Sequence, residues 1–181
     1  MPRLFVALAL PDEIGDSLLD LQSGLDGAKW RPFENFHLTL RFIGDVDRHQ
    51  AEDIASLLDG VDAPAFSLSL SGCGSFGDRR PRAVWAGAEA NPALAHLQSK
   101  VESAVVRAGR PPETRKFTPH VTLAYLQGAR RDDVAAYVAA HGLFRTGPFE
   151  VAEFHLMSSR TGGAASVYET EASFPLLRPA M

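Results

Sequence analysis

Two copies of one tetrapeptide contain the side chains best suited to chemistry in this chain. His-Leu-Thr-Leu occupies residues 37–40, and His-Val-Thr-Leu occupies residues 120–123. The chain has only six histidines. Two such matches among them arise by chance on the order of a few times in ten thousand. In a β-strand, residues two apart project from the same face, so each copy presents a histidine beside a threonine. We therefore treat the pair as one feature.

The four polar side chains match the requirements of displacement at phosphorus. They are His37, Thr39, His120 and Thr122. Near neutral pH, one imidazole can accept a proton while a second, protonated imidazole donates one. Threonine hydroxyls can donate hydrogen bonds to anionic oxygens. An in-line displacement needs a base at the attacking oxygen, an acid at the leaving oxygen and donors on the equatorial oxygens.

The same alternation predicts which neighbours share the polar face. It places Arg41 beside His37 and Thr39, and Lys116 on the face of His120. We predict Arg41 and Lys116 to be phosphate-binding cations. The opposite face of the first strand is predicted to be continuous and apolar, comprising Phe36, Leu38, Leu40 and Phe42.

A metal site or a purely structural role fits the repeat less well. Zinc sites usually gather three or four His, Cys or carboxylate ligands, whereas each strand offers a single His, so we predict no metal. Alternatively, both copies could be ordinary half-buried strands with locally satisfied histidines. A structural role of this kind leaves the repetition itself unaccounted for.

Composition restricts the class of protein. With 181 residues and 45% hydrophobic content, the chain can bury a sizeable core. A formal charge of −4 argues against coating nucleic acid by bulk electrostatics. Cys73 is the only cysteine, which fits a reducing compartment. The apolar run at residues 4–10 is short for a secretory signal and is predicted to form a first strand. We predict a soluble, cytoplasmic, monomeric protein without a membrane segment.

Periodicity and turn signals predict alternating strands and helices. The predicted strands are 3–10, 36–43, 65–71, 82–88, 117–126, 149–158 and 165–174. The predicted helices are 12–26, 48–60, 92–108 and 130–141. The fold class is therefore α+β.

The order of elements repeats within the chain. Phe66 and Phe149 each follow a proline and lie 29 residues beyond His37 and His120 respectively. This spacing indicates a duplicated unit with halves of about 1–75 and 80–175, within a single bilobal domain over 1–181. We predict two lobes related by a pseudo-twofold axis, each with an antiparallel sheet and outer helices, and a groove between them. The Gly- and Arg-rich tract at 72–81 is predicted to be the connecting loop.

The chain resembles the two-histidine phosphoesterase superfamily, and specifically the LigT-like RNA 2',3'-cyclic phosphodiesterases, also called 2'-5' RNA ligases. The resemblance covers nearly the whole chain. It is carried by RLFVALALP, Trp30, FHLTLRFIGDV, SGCGSF, RAVWAG, KFTPHVTLA and the late LMSSR with Tyr168.

The resemblance implies a water-filled central groove and neither metal nor nucleotide cofactor. It implies that His37 donates a proton to the leaving oxygen, that His120 activates water, and that Thr39 and Thr122 hold the phosphate. RNA ends or small cyclic nucleotides would be the substrates. Many relatives of this kind have arginine just after the second motif, where this chain has Ala124 and Tyr125. The contact made by that arginine is therefore absent or supplied elsewhere.

Other residues have weaker claims. Arg79, Arg80 and Arg82 could grip RNA phosphates, although charge runs are usually solvated. A further histidine, His155, is expected to be satisfied locally. Possible stacking faces for a base are Trp30, Phe76 and Tyr168.

Three activities fit this set of residues. The leading prediction is hydrolysis of a 2',3'-cyclic phosphate to a phosphomonoester, which the resemblance identifies as the 2'-phosphate. The same groove working in reverse would ligate RNA through a 2'-5' bond. A non-catalytic nucleotide-binding module is the third possibility, and the presence of both histidines and both threonines speaks against it.

Overall fold

The computed structural model describes residues 3–162 and 165–178. Its α-helices in these ranges are α1 (Asp12–Leu19), α2 (Arg48–Asp59), α3 (Pro92–Arg107) and α4 (Arg131–Ala140). The strands are β1 (Arg3–Ala9), β2 (Ala28–Trp30), β3 (His37–Asp45), β4 (Phe66–Leu68), β5 (Leu70–Phe76), β6 (Ala83–Ala88), β7 (His120–Leu126), β8 (Phe149–Val151), β9 (Glu153–Gly162) and β10 (Ala165–Pro175). A 3-10 helix at Phe33–Asn35 precedes β3. The α+β class is confirmed.

Local sequence signals set where the helices begin and end. The Asn91 side chain accepts hydrogen bonds from the first amides of α3, and Pro92 occupies its first position. Asp47 and Gln50 form a reciprocal capping box at the start of α2. Helix α1 ends at Leu19 rather than residue 26, and the chain then turns through Gly24 at φ 76°, a conformation that favours glycine.

Two four-stranded antiparallel sheets form the two lobes. The first has the order β10-β9-β1-β3, and the second has the order β2-β7-β6-β5. Helices α2 and α3 pack against each other, and α3 also contacts β3, while α4 contacts β5. No helix within residues 3–162 and 165–178 is long and apolar enough to cross a membrane.

The two halves of the chain exchange strands between the lobes. β5 belongs to the first half but pairs with β6 of the second, and β9 belongs to the second half but pairs with β1 of the first. In a separate two-stranded sheet, β4 and β8 pair antiparallel, with Phe66 opposite Val151 and Leu68 opposite Phe149. The positions that are 29 residues beyond each histidine therefore meet in one small two-stranded sheet. This arrangement supports the duplication predicted from their spacing.

Each histidine-bearing strand contains a β-bulge at the leucine of its tetrapeptide. Thr39 pairs with Ala7 and Arg41 with Val6, which leaves Leu40 without a partner. β7 repeats this irregularity, since its register against β6 passes over Leu123. A bulge inserts one residue and reverses the alternation of faces beyond it.

The bulges overturn the prediction of a continuous apolar face. Phe42 lies five residues after His37 and is 46% exposed, instead of joining Leu38 and Leu40 in the core. Tyr125 lies five residues after His120 and is 50% exposed. Each lobe therefore presents one aromatic side chain on the side of its histidine.

The predicted connecting loop at 72–81 was wrong over its first half. Residues 72–76 belong to β5, and only the segment from residue 77 to residue 82 links the halves. Glycine in this tract makes room for a neighbour: a Cβ on Gly74 would lie 2.4 Å from the indole of Trp85. The tract resembles a loop in composition because the sheet requires small residues there.

Candidate active site

A groove of about 660 Å³ lies between the lobes. All six residues predicted from the two motifs line it: His37, Thr39, Arg41, Lys116, His120 and Thr122. β7 begins at His120, so Lys116 reaches the groove from the segment before the strand rather than by strand alternation. The duplicated motifs thus converge on one concave site.

The two histidines are held in the same way. The Nδ1 atom of His37 lies 2.8 Å from the carbonyl oxygen of Asn35, and Nδ1 of His120 lies 2.6 Å from the carbonyl oxygen of Thr118. A carbonyl oxygen only accepts hydrogen bonds, so each Nδ1 carries a proton and donates it. The lone pair of each neutral ring is therefore on Nε2. Both Nε2 atoms remain available for proton transfer.

Aromatic rings fix the plane of each imidazole. The ring centroid of His37 is 4.8 Å from that of Phe5 and 5.2 Å from that of Tyr168. The ring of His120 is 4.9 Å from Phe76 and 5.6 Å from Trp85. Each imidazole therefore has two ring neighbours and one backbone anchor. This packing limits rotation about the side-chain torsions and holds the proton-transfer atoms in place.

Burial disfavours the charged form of both imidazoles in the free protein. Burial lowers the pKa of His37 from 6.5 to about 4, and the positive charges of His120 and Arg31 act in the same direction. Burial also lowers the pKa of His120, against the opposing effect of its hydrogen bond to Thr118. Both rings line the same groove, and the charge of one ring is therefore felt by the other.

The threonines present hydroxyls to the groove. Thr39 and Thr122 both line it, and neither hydroxyl hydrogen-bonds to another residue in the described part of the chain. A free hydroxyl beside an imidazole can donate to an anionic oxygen. This placement fits the phosphate-binding role predicted for them.

Arg41 is placed differently from the sequence prediction. Its residue is only 6% exposed, and its Nε donates to Glu102 at 2.8 Å. Its other nitrogens donate to the carbonyl oxygens of Phe42 and Pro111. The bulge at Leu40 turns this side chain away from the line of His37 and Thr39. Arg41 therefore joins β3 to α3 and to the segment after it, although one side still borders the groove.

Replacing Arg41 should lower the stability of the fold more than it changes substrate binding. Arg41→Met leaves Glu102 and two carbonyl oxygens without their donor, and we expect a loss of about 3 kcal/mol in the free energy of unfolding. Urea denaturation measures this loss. Arg41→Met combined with Glu102→Gln should recover part of it, because the stranded carboxylate is then removed. Unchanged stability together with a large rise in KM would instead place Arg41 on the substrate.

Sequence reasoning missed two groove cations, the exposed Arg115 and the buried Arg31. Arg31 follows β2, lines the groove, and is only 8% exposed. Its guanidinium carbon lies 5.0 Å from the centroid of the Tyr125 ring. The three-residue strand that positions it is too short for periodicity to reveal. The only signal in the sequence was an arginine between Trp30 and Pro32, directly before the first motif.

The remaining candidates divide between groove and scaffold. Arg82, Phe76 and Tyr168 line the groove, whereas Trp30 packs on Tyr137 with ring centroids 6.0 Å apart. Arg79 and Arg80 are exposed and are not among the groove residues. The prediction that His155 is satisfied locally is confirmed, because its Nδ1 lies 2.8 Å from the Ser173 hydroxyl.

Metal ligands do not cluster in this structure. Among residues 3–162 and 165–178, no group of three or more His, Cys, Asp or Glu side chains could hold a metal ion. The groove contains one acid, Glu113, and Arg115 holds its pKa at about 2 through hydrogen bonds. The polar groups of the groove are therefore mainly imidazoles, hydroxyls and cations.

Comparison with known proteins places this chain in a family. Residues 10–163 match the family model of the 2'-5' RNA ligase superfamily. The chain belongs to the 2'-5' RNA ligase superfamily. It is 35% identical over 76% of its length to an RNA 2',3'-cyclic phosphodiesterase of Aeropyrum pernix, of which it covers 80%. It is 31% identical over 92% of its length to the protein of that name from Methanothermobacter thermautotrophicus, of which it covers 94%.

Solved structures of the 2'-5' RNA ligase superfamily agree with the fold. The crystal structure of Escherichia coli LigT complexed with 3'-AMP superposes with a TM-score of 0.80 and 27% sequence identity. The match covers 97% of this chain and 99% of the LigT chain. The predicted family and bilobal architecture are therefore confirmed.

Proposed function

We propose that this protein hydrolyses 2',3'-cyclic phosphodiester ends of RNA or of small nucleotides to the 2'-phosphomonoester. One observation carries the proposal: two His-Thr pairs meet in a single groove, each with its imidazole Nδ1 anchored on a backbone carbonyl. The names of the relatives support the same reaction. We further propose that the protein acts as a monomer in the cytoplasm, where its free Cys73 thiol stays reduced.

The two histidines serve opposite ends of one displacement. Nε2 of His120 takes a proton from water, and the water oxygen forms a bond to phosphorus. The bond from phosphorus to the 3'-oxygen breaks, and Nε2 of His37 gives its proton to that oxygen. After the reaction His120 carries the proton and His37 does not. Transfer of one proton from His120 to solvent and of one from solvent to His37 restores the starting state. The hydroxyls of Thr39 and Thr122 donate to the non-bridging oxygens.

The substrate must supply the charge that keeps His37 protonated. In the free protein, burial and two nearby cations hold the pKa of His37 at about 4. A bound phosphodiester carries a negative charge next to that ring, and an opposite charge favours the imidazolium. Substrate binding therefore raises the pKa of His37, the ring that must donate a proton. The two rings titrate as a pair in this state.

Ligation is a second activity that the groove favours. The exposed rings of Phe42 and Tyr125 follow the two motifs at equivalent positions, one on each lobe. Bases stack on exposed aromatic rings, so a nucleoside could be held on either side of the phosphate. With a 5'-hydroxyl in place of water, the same two proton transfers form a bond from the 5'-oxygen to phosphorus and break the bond to the 3'-oxygen, which leaves a 2'-5' linkage. A non-catalytic module would need neither histidine.

Product analysis tests the proposed reaction. The protein is incubated with nucleoside 2',3'-cyclic monophosphates and with an oligonucleotide that ends in a cyclic phosphate. Chromatography against 2'- and 3'-monophosphate standards identifies the product, and the expected product is the 2'-isomer. A 3'-monophosphate would contradict the proposed direction of ring opening, and an absence of turnover on both substrates would contradict the function.

Chelation should leave the hydrolytic rate unchanged. The proposed charge stabilisers are hydroxyls and cationic side chains, so turnover does not need a Lewis acid. The rate is measured before and after exhaustive treatment with EDTA, followed by removal of the chelator. Loss of activity with rescue by one divalent ion would overturn this part of the mechanism.

A further inference from the structure

Arg31 is fixed in the groove wall by its backbone. Its amide donates to the carbonyl oxygen of Leu123 at 2.8 Å, and its own carbonyl accepts from Nε2 of Gln22 at 2.8 Å. These bonds tie the residue to β7, directly beside the second motif. The side chain then extends across the ring of Tyr125, with 5.0 Å between the guanidinium carbon and the ring centroid. Such a position is determined before any ligand arrives.

The guanidinium of Arg31 has no acidic counterpart. Within residues 3–162 and 165–178, it forms neither an ion pair nor a side-chain hydrogen bond, although the residue is only 8% exposed. Arg41 is buried to the same degree but has Glu102 and two carbonyl oxygens. The one groove acid, Glu113, is held by Arg115. A guanidinium that faces the groove and that no carboxylate neutralises is available to bind an anionic ligand.

We infer that Arg31, supported by the ring of Tyr125, is the guanidinium that binds the non-bridging oxygens of the substrate phosphate. The inference rests on the proposed function for its substrate class, and it assigns Arg31 the role that sequence alternation gave to Arg41. A guanidinium presents a planar fork of donors that matches two phosphate oxygens. Stacking on Tyr125 leaves the edges of this fork free to donate.

The position of Arg31 also connects substrate binding to proton transfer. The positive charge of Arg31 acts to lower the pKa of His37, so it opposes protonation of that ring. The same charge acts to lower the pKa of Tyr125. Arg31 therefore lies between the first histidine and the aromatic residue of the opposite lobe. A phosphate bound there neutralises the guanidinium and removes its repulsion of the His37 imidazolium. The contact between Arg31 and the phosphate would therefore both bind the substrate and favour the protonated form of His37, the general acid.

Binding of the product analogue 2'-AMP tests the inference without requiring turnover. Isothermal titration measures Kd for the wild type, Arg31→Met, Arg31→Lys and Arg115→Gln. Arg115 is the matched control, because it lines the same groove but is paired with Glu113. We expect Arg31→Met to weaken binding by roughly 10- to 100-fold, the value of a charge-assisted contact. The Kd of Arg31→Lys should lie between those of the wild type and Arg31→Met. Arg115→Gln should change Kd by less than about threefold.

Two further measurements separate binding from packing. The melting temperature of Arg31→Met should change little, because the guanidinium makes no hydrogen bond or ion pair that the substitution would break. The His37 pKa, followed by NMR in the free protein, should rise in Arg31→Met because a repelling charge is gone. Equal Kd values for wild type and Arg31→Met would overturn the inference even if the wild type hydrolyses cyclic phosphates. Loss of 2'-AMP binding in Arg31→Met would sustain the anion site even if hydrolysis were not observed.

Discussion

His37→Ala and His120→Ala should each lower kcat on a 2',3'-cyclic phosphate by roughly 10²–10⁴, the usual contribution of a general acid or base. Each ring is the sole proton carrier at its end of the displacement, with Nδ1 committed to a backbone carbonyl and Nε2 free. The measurement is kcat under saturating substrate, with a melting curve for each variant to confirm folding.

His155→Ala is the matched control for both substitutions. This histidine lies on β9, hydrogen-bonds to the Ser173 hydroxyl and is not among the groove residues. It should retain wild-type kcat. Thr39→Ala and Thr122→Ala should lose less than the histidine variants, because each removes one donor to the phosphate and leaves proton transfer in place. Near wild-type turnover in either histidine variant would contradict the two-histidine mechanism.

The second large effect is on pH dependence. kcat/KM reports the free enzyme, in which burial lowers the pKa of His37 to about 4 and lowers that of His120 below 6.5. Activity requires one proton on the pair. At low pH, activity should fall because both rings become protonated. As the pH rises towards neutrality, activity should fall again because the pair loses its remaining proton. We expect a bell-shaped kcat/KM profile with its maximum between about pH 4 and pH 6.5.

The kcat profile should lie at higher pH than the kcat/KM profile. The bound phosphodiester contributes a negative charge beside both rings, and this charge raises the apparent pKa values of the pair in the complex. Initial rates across the acid and neutral range, at low and at saturating substrate, give the two profiles. A kcat/KM that keeps rising into the alkaline range would indicate hydroxide or a metal-bound water as the nucleophile.

The structural elements that depend on local sequence patterns could be predicted from the sequence. Alternation identified β3 and β7, and the pair Asn91-Pro92 identified the start of α3. The repeated spacing indicated the duplication and therefore the meeting of His37 with His120. The strands and the helix start depend on residues that are close in the chain, and the duplication is visible because the same spacing occurs twice.

Features that depend on pairing were not predictable in the same way. The bulges at Leu40 and Leu123 arise from the register against β1 and β6, and they reverse the faces of the residues that directly follow. Phe42 therefore lies in the groove and Arg41 in the scaffold, contrary to simple alternation. Arg31 was missed because its burial comes from the pairing of a three-residue strand with β7.

The central claim is that the two tetrapeptides form one catalytic device, and the double variant His37→Ala/His120→Ala tests it most directly. Groups that act as a unit are strongly non-additive. We therefore expect kcat of the double variant to fall within about tenfold of the worse single variant. The measurement compares all three variants with the wild type on the same cyclic phosphate. A double variant whose loss equals the product of the two single losses would show that the histidines act independently, and would contradict the claim.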